Sequence, residues 1–304
     1  MSRFGWTPLL LLAQLAAGPA VGATHFLVVA GLGGEPRYEN RFQQEAAIVA
    51  DAARDAAGGD DRVSLLTGGL ATLDAIEQTL AGWQQLAPDD RVVMVLIGHG
   101  SHDGDAYRFN IPGRDLSAPR LAELLDALPV RHQLLVNTTS ASGGTLEALA
   151  AENRVLITAT KSGGERLATR FGSFWAAALT DPSADQDKNG LVSAREAFDF
   201  ARRGVEEAYA ADVLLATEHP RLVGTGAALF NVARQSEPVS IQLATDPRYR
   251  ELADLRDELS ARIEQHKALR DSMDSNRYLD LLQSLLLDLA MVQQEMDALA
   301  GESG

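Results

Sequence analysis

Apolar runs rich in valine and isoleucine recur along the first half of the chain, at 25–30, 62–66, 91–97, 133–136 and 154–159. Runs of this length flanked by turn residues predict strands buried on both faces, as in a parallel sheet. Between them apolar positions recur at helical spacing, which predicts helices over 39–57, 72–86, 117–127 and 145–151. The alternation defines a doubly wound α/β fold, mainly parallel, with helices on both faces. Right-handed crossovers then place the carboxyl ends of the strands on one rim.

From residue 246 the pattern changes. Tyr278, Leu282, Leu285, Leu289, Val292, Met296 and Leu299 advance by alternating steps of four and three, the seam of a coiled coil. Leu252, Leu255, Leu259, Leu269 and Met273 form a looser seam before it, interrupted by Arg262 and His266. A turn within 271–276 folds the two stretches into an antiparallel helical hairpin over 246–300. The run LLQSLLLDLAMV is apolar on more than one face, so the hairpin either packs within its own chain or takes a partner helix, self-association included.

Three turns sit on the predicted rim. In GLGGEP, Pro36 occupies the third glycine position of a dinucleotide fingerprint, which argues against nucleotide binding. In IGHGSHDG, His99 leaves a buried strand into a glycine-hinged turn, and in NTTSASGG, Ser140 leaves the next long strand in the same way. Neighbouring strand ends bring a base and a nucleophile into one crevice, the geometry acyl transfer requires. The N–H groups of Gly100 and Ser140 are candidate oxyanion donors.

These residues resemble those of the legumain-like and caspase-like cysteine peptidases, which share a strand-end His-Gly and a strand-end Cys-x-Ser-Gly. The order of elements over 26–180 follows that family, and Pro112, Asp115 and Leu116 match its Pro-x-x-Asp-Leu segment. The resemblance implies a caspase-like fold with His99 as catalytic base and Gly100 as backbone oxyanion donor. It sets Ser140 where the family has cysteine, and Arg41 where legumains bind an acidic or amide group. Phe42 and Thr138 depart from the family, where a histidine and an acid stand. A thiol ionises near neutral pH and a hydroxyl does not, so serine needs a well-oriented base. Breaking such an arrangement costs serine hydrolases up to ~10⁴-fold in turnover. The expectation is a catalytically silent homologue that binds a protein or peptide; the alternatives are an active peptidase using Ser140 with His99, and an envelope assembly protein acting through its hairpin.

Residues 185–196 fit a twelve-residue EF-hand calcium loop. Asp185, Asp187, Asn189, Ser193 and Glu196 supply side-chain oxygens and Leu191 its backbone carbonyl, while Gly190 permits the sharp turn. Helices are expected at 171–180 before the loop and 194–209 after it. Ser193 with Glu196 also reads as a capping box. No partner loop is visible, and a lone loop of this kind predicts a weak Ca2+ site of ~10⁻⁴–10⁻³ M with a stapling role. The segment TEHPRLVGTGAALF reads as a crossing segment with a structural His219.

Composition narrows the picture further. The chain has no cysteine, which excludes disulfides, thiolate metal sites and cysteine nucleophiles. Residues 1–23 carry one cation, an apolar run and a Val-Gly-Ala cleavage pattern, so a signal peptide is expected and with it export to a periplasmic or extracellular space. Its removal takes the net charge from −15 to −16 through loss of Arg3, and leaves no expected membrane span. Without a basic block, nucleic acid is not an expected partner. The expected units are therefore 1–23 signal, 24–182 α/β domain, 183–235 calcium loop and helical extension, and 246–300 hairpin.

Overall fold

The computed structural model describes residues 22–235 and 246–302, apart from 269, 271 and 272. The expected signal segment lies almost wholly outside the described residues, as does Leu269 of the first helical seam. The chain begins with β1 (Thr24–Ala30), α1 (Pro36–Ala57), β2 (Val63–Leu66), α2 (Leu73–Trp83) and β3 (Arg91–Ile97). Three short strands follow, β4 (Gly100–His102), β5 (Tyr107–Phe109) and β6 (Leu116–Ser117), then α3 (Ala118–Asp126) and β7 (His132–Asn137). After β8 (Arg154–Thr158) come α4 (Phe171–Ala178), β9 (Leu191–Ser193), α5 (Ala194–Ala211), β10 (Arg221–Val223) and β11 (Asn231–Arg234). Two long helices, α6 (Pro247–Ala268) and α7 (Ser275–Glu302), complete the described chain.

The central sheet has six strands in the order β10-β8-β7-β3-β1-β2, all parallel except β10, which runs against β8. The molecule is thus a mixed α/β structure around a mostly parallel sheet. Strand periodicity sorts its side chains into two cores. Val93, Val95 and Ile97 of β3 join Phe26 and Val28 under α1, α4 and α5. Val92, Met94 and Leu96 join Leu27 and Val29 under α2 and α3. Burial on both faces is why these strands read as continuous apolar runs rather than as alternating ones.

Several expectations are corrected. No α-helix forms over 145–151: the β7–β8 connection is a 3-10 turn, Ser142–Thr145, followed by single turns. Buried hydroxyls hold it there, Thr145 Oγ1 donating to the Ser142 carbonyl at 2.7 Å and Ser142 Oγ lying 3.2 Å from Thr160 Oγ1. These side chains satisfy locally what a helix would satisfy along its axis. The crossing segment after α5 contains β10, which closes one sheet edge in antiparallel register. The small sheet β4-β5-β6 and the pair β9-β11 were not foreseen. Strands of two to four residues are too short to show a period.

The two long helices pack along each other through Leu259, Ile263, Leu285, Val292 and Met296. Leu255 is exposed and Ile263 takes its place in the seam. His266 does not interrupt the contact. Its ring is buried, stacks on Tyr278 at 4.8 Å and lies 2.9 Å from the Tyr278 carbonyl oxygen. Among the described residues no helix is long and apolar enough to cross a membrane.

The β7–β8 turn supplies a stability prediction. A methyl group on Gly143 would lie 2.1 Å from the Ser162 nitrogen and 2.3 Å from the Lys161 carbonyl carbon, both backbone atoms that cannot swing away. On Gly164 it would meet only Ser162 Oγ at 3.5 Å, an ordinary contact. Gly143→Ala is expected to destabilise by about 1–3 kcal/mol in urea unfolding, and Gly164→Ala by much less. Equal midpoints for the two variants would show that the turn is not close-packed.

Candidate active-site crevice and acidic loop

The ends of β3 and β7 meet at one carbonyl. Thr138 donates both its N–H, at 2.9 Å, and its hydroxyl, at 3.0 Å, to the Leu96 oxygen, which fixes the residues beyond against one another. Gly100 then passes so close to the other strand end that a Cβ there would lie 2.4 Å from the Ser140 carbonyl oxygen and 2.6 Å from Thr139 Oγ1. Only glycine fits. The Gly100 N–H points at Ser140 Oγ, 3.4 Å away. The structure therefore brings Gly100 and Ser140 together.

His99 is held against α1. Its ring meets Tyr38 and Phe42 of α1 edge to face, at 4.8 and 5.1 Å, and it shares a hydrogen bond with the Gly33 backbone. Burial lowers its pKa first of all; the Gly33 bond works against this, and the Arg41 charge adds to it. His99 is thus a neutral imidazole over a wider pH range than a free histidine. Among the described residues it makes no hydrogen bond to Ser140 or to a carboxylate. Asp103 is engaged instead by Arg108 and by the N–H groups of Asp105 and Ala106, and the charge of Glu35 is felt at His99 without a hydrogen bond to the ring.

Ser140 is only 2% exposed. The turn behind it is sharp: Ala141 adopts a φ of 56°, unusual for a residue with a Cβ, and its N–H is held by the Glu165 carbonyl at 2.7 Å. Thr169 Oγ1 donates to the Thr138 carbonyl at 2.6 Å, so the 165–169 loop brackets Ser140 from both sides. Beneath lies a buried network in which Tyr107 O–H reaches Thr139 Oγ1 at 2.6 Å and Asn137 Oδ1 at 3.3 Å. Burial raises the Tyr107 pKa well above the usual phenol range.

Arg41 lies by the same aromatic pair as His99, its guanidinium 5.1 Å from the Tyr38 ring and 5.0 Å from the Phe42 ring. Its Nε is 3.5 Å from Glu45 Oε1. Glu45 escaped sequence reading. This carboxylate is buried, accepts from Ser173 Oγ at 2.5 Å, and has its pKa raised, chiefly by burial. A methyl on Gly172 would lie 2.9 Å from Glu45 Oε2 and 3.2 Å from Thr138 Oγ1, so α1 delivers an acid beside Thr138. The signal was an acid on the apolar stripe of Phe42, Ala46 and Val49. Also unforeseen is Glu165, whose carboxylate lies 2.5 Å from His219 Nδ1.

In the second site, α4 precedes the acidic loop and α5 follows it. Ligand atoms of Asp185, Asp187 and Glu196 lie within 4.8 Å of one another. The loop is wound around its own carboxylates. Asp185 accepts from the N–H groups of Asn189 and Gly190, and Asn189 Oδ1 from that of Leu191. Glu196 accepts from Gln186 and Asp187 through one oxygen, and from Ser193 through the other in a complete capping box. The convergent hard oxygens suit a divalent cation of the calcium class. Among the described residues no second loop pairs with this one, and its strand β9 pairs with β11 instead.

No family model matches the chain, and no curated protein matches it. Among solved structures, caspase-1 from Spodoptera frugiperda is similar, with a TM-score of 0.48 and 9% sequence identity over 71% of this chain and 92% of that one. Neither a residue role nor an activity passes to this chain from it.

Crowding of the acids has a measurable consequence. Partial burial, followed by the charges of Glu196 and Asp185, pushes the Asp187 carboxyl up to about 6, and solvent on its outer side tempers the effect. A carboxyl raised on folding binds its proton more tightly in the folded state, so its contribution to stability falls as pH rises from 3.8 to about 6. In chelator, Asp187→Asn is therefore expected to melt higher than the parent at pH 7, with the gap closing below about pH 4. Thermal melts across that range check it; a gap that does not change with pH would refute the crowding.

Proposed function

We propose that this chain is an exported, calcium-binding caspase-like or legumain-like protein whose peptidase crevice has become a binding site for a protein or peptide. The single observation that carries the silent reading is the seating of Ser140. The hydroxyl is nearly enclosed, and the imidazole expected to activate it is held by Gly33, Tyr38 and Phe42 with no carboxylate bonded to it. A serine in that setting lacks what acylation demands of its base. Arg41 supports a preference for acidic or amide groups beside the crevice, through its place next to His99.

A second reading, an active serine peptidase, draws on the neutral imidazole and on the Gly100 N–H 3.4 Å from Ser140 Oγ. One set of measurements separates the two. The silent reading expects no labelling by a serine-directed fluorophosphonate and no peptide hydrolysis above background. Hydrolysis abolished by either Ser140→Ala or His99→Ala would overturn it. In Ser140→Cys the silent reading expects an enclosed thiol that alkylates no faster than a free cysteine near neutral pH, and faster alkylation would favour the second reading.

The calcium part of the reading rests on the full set of oxygen positions in 185–196. Calorimetry is expected to find about one weak site per chain. Asp185→Ala combined with Glu196→Gln should abolish the heat, and an unchanged heat would remove the assignment. Beside these sites, α7 carries exposed Leu279, Leu286, Leu287 and Met291, which support a role for the helix pair in self-association or in binding a partner helix. Export of the mature chain is tested by mass spectrometry, with Thr24 expected at its amino terminus.

A further inference from the structure

Residues 159–170, between β8 and α4, form no helix or strand, yet they bracket Ser140 and leave it buried. Their contacts with the Ser140 turn are made at the Ala141 N–H and at the Thr138 carbonyl. Beside β4 a Cβ on Gly163 would lie 2.4 Å from His102 Cδ2, so only bare backbone fits over that ring. The centre of the segment is tied by the half-buried carboxylate of Glu165. Its Oε2 accepts from the backbone N–H groups of Lys161 at 2.9 Å and His219 at 3.1 Å. Its Oε1 lies 2.5 Å from His219 Nδ1 and 3.5 Å from Lys161 Nζ.

An ionised carboxylate only accepts, so the His219 ring nitrogen carries the proton in this contact. Burial alone would raise the Glu165 pKa, but the Lys161 N–H and then the His219 ring outweigh it and hold the carboxyl below its usual range. The charged form is therefore the bound form. His219 is fixed from behind. Its neighbour Glu218 is buried and accepts from the N–H groups of Arg170 at 2.7 Å and Phe171 at 3.1 Å, where α4 begins. The residue that carries the carboxylate also holds the Ala141 N–H, through its backbone carbonyl at 2.7 Å, so releasing the side chain frees the backbone that closes on the Ser140 turn. We propose that residues 161–169 are a lid over Ser140 and that the Glu165 carboxylate, bound to His219, is its latch. A segment without regular structure, held by a few polar contacts, opens locally when one of them is removed. The lid governs access to residue 140 and stands whether or not the crevice binds a peptide.

Because the chain has no cysteine, Ser140→Cys supplies a single thiol whose alkylation reports opening of the lid. In that background Glu165→Gln and His219→Ala are each expected to speed alkylation, Glu165→Gln by about 10-fold or more, the scale of a hydrogen bond to a charged group. Combining the two should add little to Glu165→Gln alone, since both break one contact. Hydrogen exchange of the β3 and β7 amides should stay unchanged, which separates a lid from general unfolding. Glu165→Gln at the rate of Ser140→Cys alone, or effects of the two changes that multiply in full, would overturn the latch, while the enclosed serine of the silent reading would survive. Loss of β3 and β7 protection in proportion to the gain in alkylation would overturn it too, because the thiol is then reached only by unfolding. Ser140→Cys that already alkylates like a free cysteine would leave no lid to release.

Discussion

The Leu96 carbonyl is the point on which the crevice depends. By accepting both the N–H and the hydroxyl of Thr138 it locks the end of β7 to the end of β3, the two central strands of the sheet. Everything that could do chemistry begins one or two residues further on. Gly100 can approach Ser140 because it lacks a side chain, and the turn at Ala141 can be tight because Glu165 holds its N–H. Two cores, one on each face of the sheet, keep that junction from moving.

The same rigidity fixes what surrounds Ser140 and His99. A serine nucleophile needs access and an oriented base, whereas Ser140 is enclosed by the 165–169 loop and His99 is oriented by a backbone group and two aromatic rings. Glu45 brings a carboxylate beside Thr138 from α1, where burial makes it reluctant to ionise. The crevice has a polar floor in Tyr107, Thr139 and Asn137, and Arg41 lies beside His99 against the Tyr38 and Phe42 rings.

The acidic loop is held from both sides of its own turn. Its carboxylates collect backbone N–H groups, and β9 pairs with β11 and so ties the loop to the segment leading into α6.

The sequence by itself determined the long parallel strands, because burial on both faces writes a continuous apolar run, and it determined the oxygen positions of the acidic loop, because these lie within twelve adjacent residues. It also placed His99 and Ser140 at strand ends. It misread 145–151, where buried hydroxyls captured the turn, and it missed β4 to β6, β9 and β11, whose few residues carry no period. Which groups stand beside His99, Ser140 and Thr138 was decided only by the tertiary structure. Gly33, Tyr38 and Glu45 lie far from those strand ends in the chain, and they reach the crevice only because α1 packs on the sheet. Sequence spacing records contacts along one element; contacts between elements depend on packing, and packing sets both the burial of Ser140 and the orientation of the histidine.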